Sequence, residues 1–236
     1  MTIPHPAFNI SDRYKGASRY RYLLARGAIV ACRVLPLKIL ALQKFTFAGR
    51  SYAYCAKRYN AAWSTERTIE VPIAWHLLQQ HSGKRILEVG NVLSHYFRTT
   101  HQVLDKYEQA SGVLNLDVVD FVPPEKYDLI LSISTLEHVG WDEQPRDPEK
   151  VVSAIHHLRT LLKPEGELMV TVPLGHHMVL DEKLREGQVR FQRQRYMKRV
   201  SDHNDWTECS QEEAAQATYN FPYPGANVVV IGIDRG

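Results

Sequence analysis

Residues 84–90 read KRILEVG, and residues 91–96 read NVLSHY. Ile86, Leu87 and Val89 form a short β-type apolar run that stops at Gly90. In an open parallel sheet, ligands lie beyond the carboxyl ends of the strands. A strand ending here puts Glu88 and Gly90 where a small cofactor would bind. Glycine lacks a Cβ and lets the backbone come close to a ligand. A carboxylate at this place accepts hydrogen bonds from sugar hydroxyls or from an ammonium group.

Downstream, the pattern alternates between strands and helices. A short helix is expected over 94–99 and a short strand over 102–105. VLNLDVVDF (113–121) alternates like a strand, with Asp117 and Asp120 near its end. KYDLILSIS (126–134) is almost continuously apolar, as a central strand covered on both faces would be. A helix follows over 148–162, with Val151, Val152, Ile155, Leu158, Leu161 and Leu162 at helical spacing. KPEG reads as a turn and GELMVTVP (166–173) as a buried strand. Residues 181–186 read as a helix, and 193–200 and 227–235 as strands. Upstream, Pro72 occupies a favoured first helical position, with a stop at Ser82-Gly83. Before it lie Arg67 and Glu70, placed either to reach the cofactor edge or to cap and orient that helix. The expected fold is an α/β mostly parallel sheet with an antiparallel last strand.

The 236 residues suffice for one such domain with an extension. Cys32, Cys55 and Cys209 are odd in number and far apart, which excludes a disulfide framework and any Cys-rich zinc motif and points to a reducing, cytoplasmic setting. The net charge of +3 hides a division. Residues 1–60 carry 11 Lys/Arg and one acid, Asp12, a balance of +10, while the rest carries −7. The chain is read as a basic N-terminal extension (1–63) followed by the domain (64–236). Residues 19–47 mix arginines with leucines, isoleucines and valines, and Pro36 is expected to split them into two helices. No run of about 18 uncharged apolar residues occurs, so a membrane-spanning helix is not expected. A cleavable signal is not expected either, because Arg33 interrupts the apolar part. The segment fits a helix lying on an anionic membrane surface and equally one packed on the domain with a solvated basic face. Tyr52, Tyr54, Tyr59 and Trp63 fit packing of the extension on the domain, or an acceptor pocket.

The order of these motifs resembles the class I S-adenosylmethionine-dependent methyltransferases, in particular the type 11 group, over residues 64–236. ILEVG matches the first-strand motif, and YDLILSISTLEHV the fourth-strand motif with its LEH ending. LLKPEGELMVTVP matches the helix–turn–strand that follows. The resemblance implies a Rossmann-like fold and S-adenosylmethionine as cofactor. It places Gly90 against the methionine part of the cofactor and assigns Asp105, 17 residues after Glu88, to the ribose, with Glu108 as competitor. It assigns Asp117 to the adenine. The usual loop, E-x-G-x-G-x-G, is here GNVLSHY with a single glycine. Asn91, Ser94 or His95 is then expected to supply contacts that backbone amides usually make, with Ser134 at the end of strand four as a further cofactor contact.

Methyl transfer from a sulfonium needs positioning and, for an oxygen acceptor, removal of a proton. His138 lies just past strand four and is the base candidate, with Glu137 to orient it. His176 and His177 in PLGHHM are a second pair at the same sheet edge, and Trp141 and Asp142 are candidate acceptor-site walls. A related O-methyltransferase group binds a divalent metal through E-x-x-E-H. Here Ser134 replaces the first glutamate, so no metal is expected. The acceptor expected is a small molecule, a sugar or a lipid-linked glycan of cell-surface polysaccharide assembly, met at the inner membrane face. A nucleic-acid methyltransferase using the +10 segment is the second enzyme reading, although no NPPY-type motif is present. A methyltransferase-like scaffold without catalysis is the third.

Overall fold

The computed structural model describes residues 42–236. Expectations for residues 1–41, including most of the basic amphipathic segment, lie outside the described residues. The expected helix does not extend to residue 47. Lys44–Phe47 (β1) and Arg50–Ala53 (β2) form an antiparallel hairpin instead. Phe45 and Phe47 are buried and Lys44 and Thr46 exposed, a period of two that no helix can satisfy. Ala48 and Gly49, both at positive φ, close the turn.

Helix α1 spans Arg67–Gln80, so Pro72 lies inside it rather than at its start. A proline there withholds the N–H that the Thr68 carbonyl would accept. The Cys55 N–H takes its place, donating to Thr68 O at 2.8 Å. The break in the helical ladder therefore anchors the chain that leaves the hairpin. Farther along, Tyr54 is buried, and its hydroxyl accepts from the Trp206 N–H at 3.0 Å. Tyr54 packs on the domain, as one of the two sequence readings has it, whereas the exposed Tyr59 lines a pocket, as the other has it.

The main sheet contains β3 (Ile86–Val89), β4 (Gln102–Leu104), β5 (Val113–Leu114), β6 (Tyr127–Ile133), β7 (Leu162–Pro173), β8 (Arg193–Arg199), β9 (Trp206–Cys209) and β10 (Val228–Arg235). Its order is β5-β4-β3-β6-β7-β10-β8-β9. β5 to β7 run parallel, and β10 is antiparallel to both of its neighbours. Strand alternation separates two apolar layers. Leu87, Ile130, Val170 and Val230 face α2 (Lys150–Thr160) and α3 (Met178–Arg185). Ile86, Leu131, Met169 and Val229 face α1 and the hairpin. This two-sided cover explains the unbroken apolar run of β6.

Three local readings are corrected. Only Val113 and Leu114 of the run 113–121 pair as a strand. Asn115 turns away and donates to the carbonyls of Asp105 and Glu108, and the Asp120 N–H closes a turn onto Asp117 O. Side-chain bonds of this kind compete with the ladder. KPEG lies within β7, where Glu165 has φ 64 and the pairing with β6 shifts register. The helix expected over 94–99 is a single 3-10 turn, Leu93–His95. β9 and the short helix α4 (Gln211–Ala214) have no counterpart in the sequence reading.

Candidate active site

A pocket of about 350 Å³ opens at the carboxyl ends of β3, β4 and β6. Gly90 forms its floor at φ 86, and the Gly90 N–H donates to Leu104 O at 2.8 Å. A Cβ built on Gly90 would overlap the Thr135 hydroxyl and stand 2.8 Å from Thr135 Cβ. This close approach of two loops is what the glycine permits.

Glu88 does not face the pocket. It is fully buried beneath the loop. Its Oε1 accepts from the N–H groups of Val92 and Leu93 at 2.9 and 2.7 Å, and its Oε2 pairs with His101 Nε2 at 2.6 Å. The expected cofactor contact is corrected to support of the loop that would make it. Alternation sends Glu88, like Ile86, into the layer occupied by α1, and the loop that folds back onto its carboxyl covers it there.

Side chains hold the loop that glycines usually shape. The Asn91 N–H donates to Asp105 Oδ2 at 3.1 Å, and Asn91 Nδ2 donates to Glu108 Oε1 at 2.6 Å. The Ser94 hydroxyl donates to Asn91 Oδ1. Asp105 Oδ1 also accepts from the N–H groups of Tyr107 and Glu108, both at 2.9 Å. Asn91, Asp105 and Glu108 all line the pocket. His95 stands behind this wall. It is stacked on pocket-lining Tyr59 at 4.0 Å, and its Nε2 lies 3.1 Å from Glu108 Oε1.

Asp117 lines the pocket but already has partners. Its Oδ2 accepts from Lys106 at 2.7 Å and from Lys150 at 2.5 Å, and Glu143 Oε2 accepts from the same two lysines. Burial alone would raise the Asp117 pKa, but the lysine hydrogen bonds outweigh it and hold the carboxyl below its usual range. The sequence reading missed Lys106, Lys150 and Glu143, which come from three separate segments. Any adenine contact by Asp117 must share a carboxylate committed to two ammonium groups.

At the other end of the pocket, Arg67 donates to the carbonyls of Ile133 (2.6 Å) and Ser134 (3.2 Å) and lines the wall. Ser134 has φ 38, a strained value for a residue with a Cβ. Its hydroxyl turns away from the pocket and donates to Glu70 Oε1 at 2.5 Å. Glu70 is fully buried, and burial raises its pKa. Arg67 and Glu70 thus both reach the site, one as wall and one as support.

At the mouth, the 3-10 turn Leu136–His138 presents His138, whose Nδ1 lies 2.5 Å from Asp142 Oδ2. Glu137 is buried behind it, with Oε1 3.7 Å from His138 Nε2 and Oε2 without a partner. Burial holds the Glu137 carboxyl well above its usual pKa. His176 comes from the loop after β7, its ring 4.9 Å from that of His138. His177 is not a base candidate. It is buried, its Nδ1 accepts from the Leu180 N–H at the start of α3, and its ring stacks on Trp141 at 4.5 Å. Trp141 is thereby placed against a buried histidine.

No family model matches the chain, and no curated protein matches it. Similar solved structures include the N-methyltransferase NodS from Bradyrhizobium japonicum WM9, at 13% identity and TM-score 0.39, covering 72% of this chain and 96% of that one. A Burkholderia thailandensis 1,6-didemethyltoxoflavin-N1-methyltransferase gives 15% and 0.39, over 82% and 98% of the two chains. Magnesium protoporphyrin IX methyltransferase from Synechocystis PCC 6803 gives 13% and 0.38, over 70% and 78%. The sheet itself decides the fold. Five parallel strands, with the third, second and first on one side of the fourth and fifth, are followed by a last strand inserted antiparallel before the sixth. The chain has the fold of the class I S-adenosylmethionine-dependent methyltransferases.

Proposed function

We propose that this protein transfers a methyl group from S-adenosylmethionine to a small-molecule acceptor. The observation that carries this reading is the polarity of the pocket along its length. Asp105 and Glu108 stand at the β4 end, suited to ribose hydroxyls, and Arg67 stands at the β6 end, suited to a carboxylate. Between them Gly90 and Thr135 pinch the floor, where the sulfonium would lie. Asn91 and Ser134 shape that floor, Asp117 closes the adenine side, and His95 backs the ribose wall. The acceptor enters at the mouth, where His138 lines the pocket with Glu137 and His176 beside it. Removal of an acceptor proton falls to this group.

Calorimetric titration with S-adenosylmethionine and S-adenosylhomocysteine, with NAD as control, tests the reading. Micromolar binding of either ligand, and none of NAD, is expected. Arg67→Ala should weaken binding about tenfold to a hundredfold, the worth of a charge-assisted hydrogen bond to a carboxylate. Lys at this position should recover part of the loss. A folded protein that binds neither ligand would instead support the non-catalytic scaffold.

A sugar or lipid-linked glycan hydroxyl is the acceptor we favour, and an anionic membrane surface the setting. The support is the +10 balance of residues 1–60, of which Lys44, Arg50, Lys57 and Arg58 lie on the described hairpin and the turn after it. Residues 1–63 would act as the targeting unit for the 64–236 domain. Among the described residues no helix is long and apolar enough to cross a membrane. Full-length protein is expected to co-sediment with anionic liposomes at low salt and to be released at high salt. Failure to sediment would remove the membrane part of the reading and leave methyl transfer standing.

A further inference from the structure

We propose that His138, Asp142 and His176 form a binding site for one divalent transition-metal ion at the mouth of the pocket. Among the described residues, these three make up the one group of His, Cys, Asp and Glu side chains close enough to share an ion. Their donor atoms lie within 4.8 Å of one another. Donors on one four-coordinate ion, at bonds of about 2.0–2.2 Å, lie about 3.3–3.6 Å apart, so side-chain rotations must open the 2.5 Å contact of His138 with Asp142 and bring the remaining donors in.

The backbone builds the set. The His138 carbonyl accepts from the N–H groups of Trp141 and Asp142 at 3.2 and 3.1 Å, a helical turn that puts His138 and Asp142 on one side. β6 and β7 are parallel neighbours, so the loop after β7 delivers His176 to the same edge. The E-x-x-E-H pattern fails at Ser134, whose hydroxyl is bound to Glu70. The ligand set assembled here does not use that position.

Two further observations point to an ion. His176 Nε2 is shielded from solvent and has no hydrogen-bond partner, yet it lies 3.6 Å from Asp142 Oδ2, the oxygen that His138 Nδ1 also approaches. Two imidazole nitrogens thus stand beside one carboxylate oxygen, which gathers three potential ligand atoms at one spot. The other nitrogen of His138 faces the buried Glu137. A ligating histidine commonly has its second nitrogen directed at a carboxyl group, which fixes the ring. Two imidazoles and one carboxylate suit zinc, iron(II), cobalt or nickel better than magnesium or calcium. Three protein ligands leave a coordination position free, and His138 and Asp142 are about half exposed, so that position is open to an acceptor.

The purpose of the ion rests on the methyl-transfer reading. An acceptor hydroxyl bound to a dication loses its proton near neutral pH. The proton leaves to solvent. The oxygen's electron pair forms the new C–O bond as the methyl–sulfur bond breaks, and that bond's electrons stay on sulfur to give S-adenosylhomocysteine. In the loaded protein His138 acts through the ion rather than as a free base.

The test is equilibrium binding of zinc to untagged, chelator-treated full-length protein by calorimetry, with cobalt(II) absorption as the second readout. One ion per chain is expected. His176→Gln and Asp142→Asn should each weaken binding at least a hundredfold, with the melting transition retained and the cobalt bands lost. His203→Gln, at an exposed histidine elsewhere, should leave binding unchanged. No stoichiometric ion, or an ion bound equally well by His176→Gln, would overturn the proposal. S-adenosylmethionine affinity measured on the same samples separates the two readings. Cofactor binding without metal binding rejects the ion alone, and metal binding without cofactor binding keeps the site and removes methyl transfer.

Discussion

Gly90→Ala is expected to abolish measurable cofactor binding and to lower stability by about 2–5 kcal/mol. Two independent costs add. Alanine at φ 86 meets the steric penalty of the left-handed region, about 1–2 kcal/mol. The new methyl also overlaps Thr135, whose Oγ1, Cγ2 and Cβ are the three nearest atoms, and forced overpacking costs about 1–3 kcal/mol. At this chain length about 1 kcal/mol moves the melting temperature by about 2–4 °C, so the drop is readable. Thr135→Ala in the same chain removes two of the three offending atoms but leaves the Cβ 2.8 Å away. The double variant should therefore regain part of the stability, and the remaining deficit reports the backbone term. Urea unfolding and cofactor titration of the three variants check this. A Gly90→Ala protein with native affinity would show that the floor of the pocket is not where the cofactor lies.

Glu88→Ala is the second large effect, and here the expected order of losses matters. Its carboxyl satisfies two buried backbone N–H groups and His101 Nε2. Removing it orphans three groups at about 1–3 kcal/mol each, offset in part by water entering the gap, for a net of about 3–5 kcal/mol. Cofactor binding falls as a consequence, because the loop 91–95 loses its anchor. Glu88→Gln keeps an oxygen for Val92 and Leu93, and its amide can donate to His101 in the tautomer protonated at Nδ1. It should lose roughly half as much stability and keep more affinity. Thermal melts compared with affinities decide the matter. If Glu88→Ala melts like the native protein and loses only binding, the acid touches the cofactor directly and its support of the loop is secondary.

These two residues show where sequence reading succeeds and stops. The strand 86–89, the glycine that ends it and the carboxyl-end position of both were legible, because alternation and chain breaks are local properties. The target of the Glu88 carboxyl was not, because His101 is brought to it by the pairing of β4 with β3. The same holds for Asp117. Its place after the third strand was readable, but its two lysine partners were not, since Lys150 arrives on α2 from the far side of β6. Pro72 failed for a related reason. Taken alone it marks a helix start, and only the Cys55 N–H, from the chain after the hairpin, makes it tolerable inside α1.

At the mouth the division recurs. The LEH ending announced Glu137 and His138, and HHM announced His176. Which histidine is exposed and which caps α3 was decided by packing, with His177 buried against Trp141. By itself the sequence determined an α/β sheet, its antiparallel last strand and the edge at which chemistry would sit. Periodicity, glycines and prolines act within a few residues and need no partner. The tertiary structure alone decided which charges neutralise one another, which acids hold the loop instead of a ligand, and that two histidines and Asp142 meet. Those are distances between segments tens of residues apart, set by strand order and register, which local pattern does not encode.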